Sequence, residues 1–311
     1  MSTMLSLIRF KVFSNNRFNH LQWFLMYIFS RFNTTSNLAI SLYLLDKSKN
    51  FKSLPASQPE QDSLFPNLNP NEIVKRLRKD GFAPGIELSQ QNVENILNFI
   101  KQVDCFPDHD GPKDIKTGIS LSVDGFYSNK FSRSRYDNTF QDCPTIQAII
   151  NDPKLLKIAT DYLQVTPIYM GARLWWSHAD APPYDFKRAG QVFHYDIDDY
   201  RALRFFFYLT DVDKSCGPHV IIRGSHTHKK WRDKLATSRF RTDSDLSDFY
   251  GKEKFIHLFG KSGFGFAEDP KIFHKGVAPE SQDRLILLIR YSMNDFFYSN
   301  NDKPQLTTPK N

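Results

Sequence analysis

The spacing of apolar and polar positions divides the chain into three regimes. Residues 1–45 carry two apolar runs, LQWFLMYIF (21–29) and LAISLYLL (38–45), parted by the polar stretch SRFNTTSN. Runs of this length predict two helices packed on a larger body, and neither approaches the ~20 apolar residues that span a bilayer. Residues 46–68 are polar and punctuated by proline, which predicts a linker. From Asn69 onward, helical periodicity begins. Asn69, Pro70 and Glu72 form a start signal, and Gly81 is the stop. Ser89 caps a second helix with Val93, Ile96, Leu97 and Ile100 on one face. Residues 108–143, rich in Asp, Gly, Ser and Asn, predict a long loop. PTIQAII and DPKLLKIATDYL then predict two further helices, the second capped by Asp152 with Pro153 behind it.

Beyond Thr166 the period shortens to that of strands. TPIYMGARLWWSH, QVFHYDI, ALRFFFYLTDV, PHVIIRGS, SGFGFAE and DRLILLIRYSM are short β-branched or aromatic runs between turn residues. The expected fold is mainly β with flanking helices (α+β), its core a jelly roll. The expected organisation is a basic aromatic arm (1–45), a linker (46–68) and one domain (69–311). Within that domain, 69–165 would be the helical part and 166–295 the jelly-roll core.

Charge and cysteine content change the picture only modestly. The formal charge is +7, but residues 1–50 hold six basic side chains against one acid. The remaining chain holds 35 basic against 33 acidic residues, so the body is almost balanced. A nucleic-acid partner is therefore not expected. The aromatic, basic arm admits contact with a membrane surface, though packing on the body is the favoured reading. Cys105, Cys143 and Cys216 show neither disulfide nor zinc spacing, so a reducing, cytoplasmic setting is expected.

Candidate chemistry centres on FHYDIDDYRALRFFFYLTDV (193–212). In an extended segment His194 and Asp196 face one side while Tyr195 faces the other. An imidazole nitrogen and a carboxylate oxygen suit divalent iron, and one more histidine from a distant strand would complete a facial triad with open positions. His274, in DPKIFHKGVAP, is the candidate; His178, His219, His226, His228 and His257 are its rivals. Arg284 begins an apolar strand, where an inward guanidinium calls for an anion such as an organic carboxylate. A salt bridge to Asp283 or Glu280 is the alternative, and Arg290, of the same parity, is the rival anion binder. Trp175, Trp176 and Arg173 stand on the preceding strand, where they would line an entrance, pack, or, for Arg173, contact the same organic carboxylate.

The order His194-x-Asp196, SCGPHVIIRGSH, His274-x-Gly276 and Arg284 resembles the phytanoyl-CoA dioxygenase family of iron(II)- and 2-oxoglutarate-dependent oxygenases. The resemblance spans about residues 70–295 and includes the opening EIVKRLRKDGFAPGIELS. Arg223 stands where proline is usual, and the interval from His274 to Arg284 is one residue shorter than in many members. The resemblance implies a double-stranded β-helix (cupin-like) core with Fe(II) on His194, Asp196 and His274. It also implies 2-oxoglutarate as cosubstrate with its far carboxylate on Arg284, and consumption of O2 with release of succinate and CO2. A carboxylate at position 196 implies hydroxylation of a small organic molecule, since related halogenating enzymes carry Gly or Ala there. The alternative is a non-catalytic jelly-roll module that binds a small molecule without turnover.

Overall fold

The computed structural model describes residues 16–47, 62–107, 131–181 and 183–296. In chain order its principal elements begin with helices α1 (Asn16–Phe29), α2 (Asn33–Lys47) and α3 (Pro70–Asp80), then strand β1 (Phe82–Pro84) and helix α4 (Gln90–Ile100). Strands β2 (Phe106–Pro107) and β3 (Arg133–Tyr136) precede helices α5 (Thr139–Asp142), α6 (Pro144–Ile150) and α7 (Pro153–Leu163). Strands β4 (Ile168–Ser177), β5 (Ala202–Tyr208) and β6 (His219–Ile222) follow, then helices α8 (Trp231–Leu235) and α9 (Asp243–Tyr250). Strands β7 (Phe255–Leu258), β8 (Gly265–Glu268), β9 (His274–Gly276) and β10 (Arg284–Ser292) complete the order.

The helix starts follow the capping chemistry of the sequence. Asn69 accepts from the backbone N–H groups of Asn71 and Glu72, Ser89 from that of Asn92, and Asp152 from those of Lys154 and Leu155. Helix α3 ends at Gly81, whose φ of 84° is left-handed and natural to glycine.

Two antiparallel sheets form the core. The larger has the order β1-β8-β5-β10-β4-β3-β2, and the smaller β7-β6-β9. They enclose one apolar layer built from Phe206, Tyr208, Phe266, Ile286 and Leu288 of the large sheet with Ile221 and Leu258 of the small one. The other face of the large sheet, including Phe205, Phe207, Leu285 and Leu287, packs on Leu77, Ile96, Ile146 and Leu155 of the helices. The aromatic run of β5 is thus divided by parity, its even positions entering the interior and its odd positions meeting the helical layer. This is the jelly-roll core with flanking helices expected from the sequence.

Several local expectations need correction. Strands β1, β2 and β3 fall in the part read as helical, yet they close both ends of the large sheet. Each is two to four residues long, too short to show a period of two. Of the long loop expected over 108–143, residues 108–130 lie outside the described residues, while the rest contains β3 and α5. The strand expected at QVFHYDI is an irregular extended segment, joined to β9 by the single bridge His194↔His274. Residues 48–61 of the expected linker also lie outside the described residues. Its final stretch is fixed on the body: Phe65 is buried and stacks on Phe207, and the Lys154 ammonium donates to the carbonyls of Phe65 and Pro66.

Candidate metal and anion site

His194 and His274 meet through a reciprocal backbone pair, His194 N to His274 O at 3.0 Å and His274 N to His194 O at 2.8 Å. Two residues on, Asp196 N donates to Pro270 O at 2.7 Å, which keeps the segment extended where no regular ladder exists. Alternation therefore survives: His194 and Asp196 face inward, while buried Tyr195 turns away to rest on Phe273 and donate from its hydroxyl to Asp233 O. The imidazole centroids of His194 and His274 are 4.5 Å apart. Asp196 Oδ2 lies 3.8 Å from His194 Nε2 and 3.7 Å from His274 Nε2. One ligand atom from each of the three residues falls within 4.8 Å of the others.

The hydrogen bonds suit these atoms to a cation. His194 Nδ1 is 2.9 Å from Val192 O, and His274 Nδ1 is 3.0 Å from Ile272 O. A carbonyl only accepts, so both rings carry their proton on Nδ1 and present the Nε2 lone pair to the centre. Burial pushes the His274 imidazole down to about 3, so it is neutral at any ordinary pH. Burial alone would raise the Asp196 carboxyl, but Arg204, the two imidazoles and Arg239 hold it well below the usual carboxylate range. Two imidazole nitrogens and an ionised carboxylate are a donor set that fits divalent iron.

Two arginines that the motif did not reveal grip Asp196. Arg204 NH2 is 2.8 Å from Asp196 Oδ2 and 2.7 Å from Asp198 Oδ2. Arg239 NH1 donates to Asp196 Oδ1 at 2.8 Å and to Tyr195 O at 3.0 Å. Arg204 was visible as the one charged residue in ALRFFFYL. Arg239 lies 43 residues beyond its partner in a polar segment, and nothing local announces it. Beneath His274 lies a second buried pair, His219 Nε2 and Glu268 Oε2 hydrogen-bonded at 2.6 Å, with the His219 and His274 rings stacked at 5.5 Å. Burial raises the Glu268 carboxyl, against the pull of His274 and Arg204.

The rival histidines are otherwise engaged. His178 bridges Ser134 Oγ and Asp283 Oδ2, His226 Nε2 meets Arg78 O, and His228 meets Thr227. His257 is on the exposed side of β7.

Arg284 is 4% exposed, and among the described residues only NH2 of its guanidinium has a partner, Ser177 Oγ at 3.3 Å. Its Nε and NH1 are buried without one among those residues. The alternative salt bridge to Asp283 does not form, because that carboxylate is taken by His178 and Ala179 N. The guanidinium lies over β9: a Cβ added at Gly276 would come 3.2 Å from Arg284 NH2. Gly276 shares the inward face with His274, ~7 Å along the strand. Arg290 is opposite Arg204, ~20 Å along β10 from Arg284, and reaches Met170 O. Arg173 is opposite Leu288, on the inward face four residues along β4 from Ser177, which is opposite Arg284. Trp175 packs in the interior layer under Arg133, whereas Trp176 packs on the helical side and donates to Tyr136 Oη.

No family model matches the sequence, and no curated protein matches it. Solved structures do resemble it. The non-heme alpha ketoglutarate dependent carbocyclase SnoK from nogalamycin biosynthesis is 16% identical, with 74% of this chain and 86% of that chain covered and a TM-score of 0.51. HygX from Streptomyces hygroscopicus, solved with nickel and 2-oxoglutarate bound, is 16% identical over 72% of this chain and 87% of its own, at a TM-score of 0.49. The epimerase SnoN from nogalamycin biosynthesis is 15% identical over 72% of this chain and 82% of its own, at 0.49. The likeness to SnoK establishes the shared fold, a double-stranded β-helix.

Proposed function

We propose that this chain is an iron(II)- and 2-oxoglutarate-dependent oxygenase of the phytanoyl-CoA dioxygenase type, acting on a small organic molecule. The observation that carries this reading is the pairing of the His194, Asp196 and His274 cluster with a buried guanidinium that has no anion among the described residues and lies over Gly276, ~7 Å along β9 from His274. A buried charge without a partner is costly, and a dicarboxylate that reaches from the cation to Arg284 removes the cost. In this reading His194, Asp196 and His274 hold the metal. The metal, when bound, supplies the oxygen chemistry that couples oxidation of the keto acid to succinate and CO2 with hydroxylation of the substrate.

The chain's own residues do the rest. Backbone carbonyls of Val192 and Ile272 orient the imidazoles, and Arg204 and Arg239 keep Asp196 ionised and aimed. Gly276 leaves room beside β9, and Arg284 with Ser177 receives the far carboxylate. Phe206 and Phe266, stacked at 4.9 Å, wall the interior against water. Asp196 would hold the metal through a carboxylate, where a halogenating enzyme would leave room for a halide, which favours hydroxylation as the outcome. Residues 69–311 are taken as the catalytic unit.

Anaerobic titration with Fe(II) and 2-oxoglutarate tests the reading through visible absorption. A weak charge-transfer band is expected in the wild type and its loss in His194→Ala. No band from the intact protein would favour a binding module without turnover. Arg284→Ala is expected to weaken 2-oxoglutarate binding about a hundredfold while leaving metal affinity within about twofold. Equal loss of both would contradict the assignment of Arg284.

A further inference from the structure

Helix α1 turns Trp23, Met26 and Tyr27 onto the body, and Met26 and the following Ser30 are buried there. Its opposite side is also apolar: Leu21, Phe24, Leu25, Ile28 and Phe29 recur at helical spacing and are 39–54% exposed. The surface continues past the end of the helix. Phe32 meets the Trp231 ring at 5.7 Å, and Arg31 NH1 donates to Lys234 O and Ala236 O at 3.3 and 2.8 Å, which fixes α8 beside the turn from α1 to α2. There Trp231 is 69% and Leu235 66% exposed.

Charge identifies the partner this face fits. Residues 1–45 contain Arg9, Lys11, Arg17 and Arg31 and no acidic residue. Lys230 and Lys234 flank Trp231, Arg232 pairs with Asp245 at 3.2 Å, and the one acid of α8, Asp233, is buried against Arg241 at 2.6 Å. Large aromatic side chains within a basic surround suit the headgroup boundary of an anionic membrane. No helix among the described residues is long and apolar enough to cross a bilayer, and the 14 residues of α1 extend only about 21 Å. We propose that α1 and α8 seat this face on an anionic lipid surface, with α1 parallel to the bilayer plane. The inference does not depend on the oxygenase reading. It adds that the segment after α8, whose Arg239 holds Asp196 and whose Phe240 ring lies 5.8 Å from His194, begins at the lipid boundary.

Co-sedimentation of the full-length protein with vesicles of phosphatidylcholine alone, and of phosphatidylcholine with phosphatidylglycerol, tests it. The protein is expected to sediment with the anionic vesicles and to be released by salt. Binding should be about tenfold weaker in the double variant Phe24→Glu, Phe29→Glu, with an unchanged unfolding midpoint. If that variant fails to fold, Trp231→Ser is expected to show the same direction of loss. His194→Ala is expected to bind vesicles as the wild type does, which separates this result from the fate of the oxygenase reading. Absence of vesicle binding at low salt would overturn the proposal, as would equal binding by wild type and folded variants. A soluble dimer that ignores vesicles and dissociates in the Phe24, Phe29 variant would assign the face to a second copy of the chain instead.

Discussion

At the scale of single residues, the site is a balance of buried charges. Arg204 is enclosed and bridges two carboxylates, Asp196 at 2.8 Å and Asp198 at 2.7 Å, so removing it strands Asp198 in a poorly solvated place and leaves Asp196 to Arg239 alone. Breaking a buried pair from one side costs about 3–5 kcal/mol. Arg204→Met is therefore expected to lower unfolding free energy by roughly that amount in urea titration, with Arg204→Lys recovering part of the loss through a single contact. Gly276 makes a finer test. Its missing Cβ leaves the Arg284 guanidinium its place, and a methyl group 3.2 Å from NH2 has to push it. Gly276→Ala is expected to raise the 2-oxoglutarate dissociation constant about tenfold while leaving metal affinity within about twofold, as read by calorimetry with each ligand. A fall in metal affinity of equal size would show that the strand itself had moved.

At the scale of elements, the turn after β6 carries a buried base of its own. Lys229 donates to Ser225 O at 2.6 Å and also to Lys271 O, over the rings of Tyr195 and Phe273. Burial brings its pKa from 10.5 down to about 7, and a neutral amine still has the two N–H bonds those carbonyls need. Because the folded value is the lower one, the unfolded chain binds more protons between about 7 and 10.5, and stability rises with pH across that window. Thermal unfolding from pH 7 to 9 is expected to show a stability slope up to about 1 kcal/mol per pH unit steeper in wild type than in Lys229→Met. The elements also show what was legible beforehand. Helices α3, α4 and α7 announce themselves through Asn69, Ser89 and Asp152, because a cap acts on residues two or three positions away. Strands β4, β5 and β10 do so through long β-branched or aromatic runs. His194, Asp196 and His274 were legible as a pattern, whereas Arg239 and the His219–Glu268 pair were not, since nothing near them in sequence records which strands will adjoin. Strands β1 to β3 escaped for a related reason: their pairing is decided by the partner's edge, not by their own composition.

At the scale of the whole molecule, the proposed ligands lie across the seam between the two sheets. The proposed metal ligands belong to the small sheet and the segment bridged to it, through β9 and residues 194–196, whereas Arg284 starts β10 of the large sheet. Metal alone would fasten a segment that a single bridge now joins to β9, and 2-oxoglutarate held at both ends would tie one sheet to the other. Any ligand that binds only the folded state stabilises it by mass action, about 2.7 kcal/mol at a hundredfold excess over its dissociation constant. Anaerobic thermal unfolding with Fe(II), then with Fe(II) and 2-oxoglutarate, is therefore expected to rise in two steps. Arg284→Ala should keep the first step and lose most of the second, while His274→Ala should lose both, because without the metal the keto acid end has nothing to chelate. A second step of full size in Arg284→Ala would mean that the far carboxylate is held elsewhere on the inward face, with Arg173 then the side chain to substitute next.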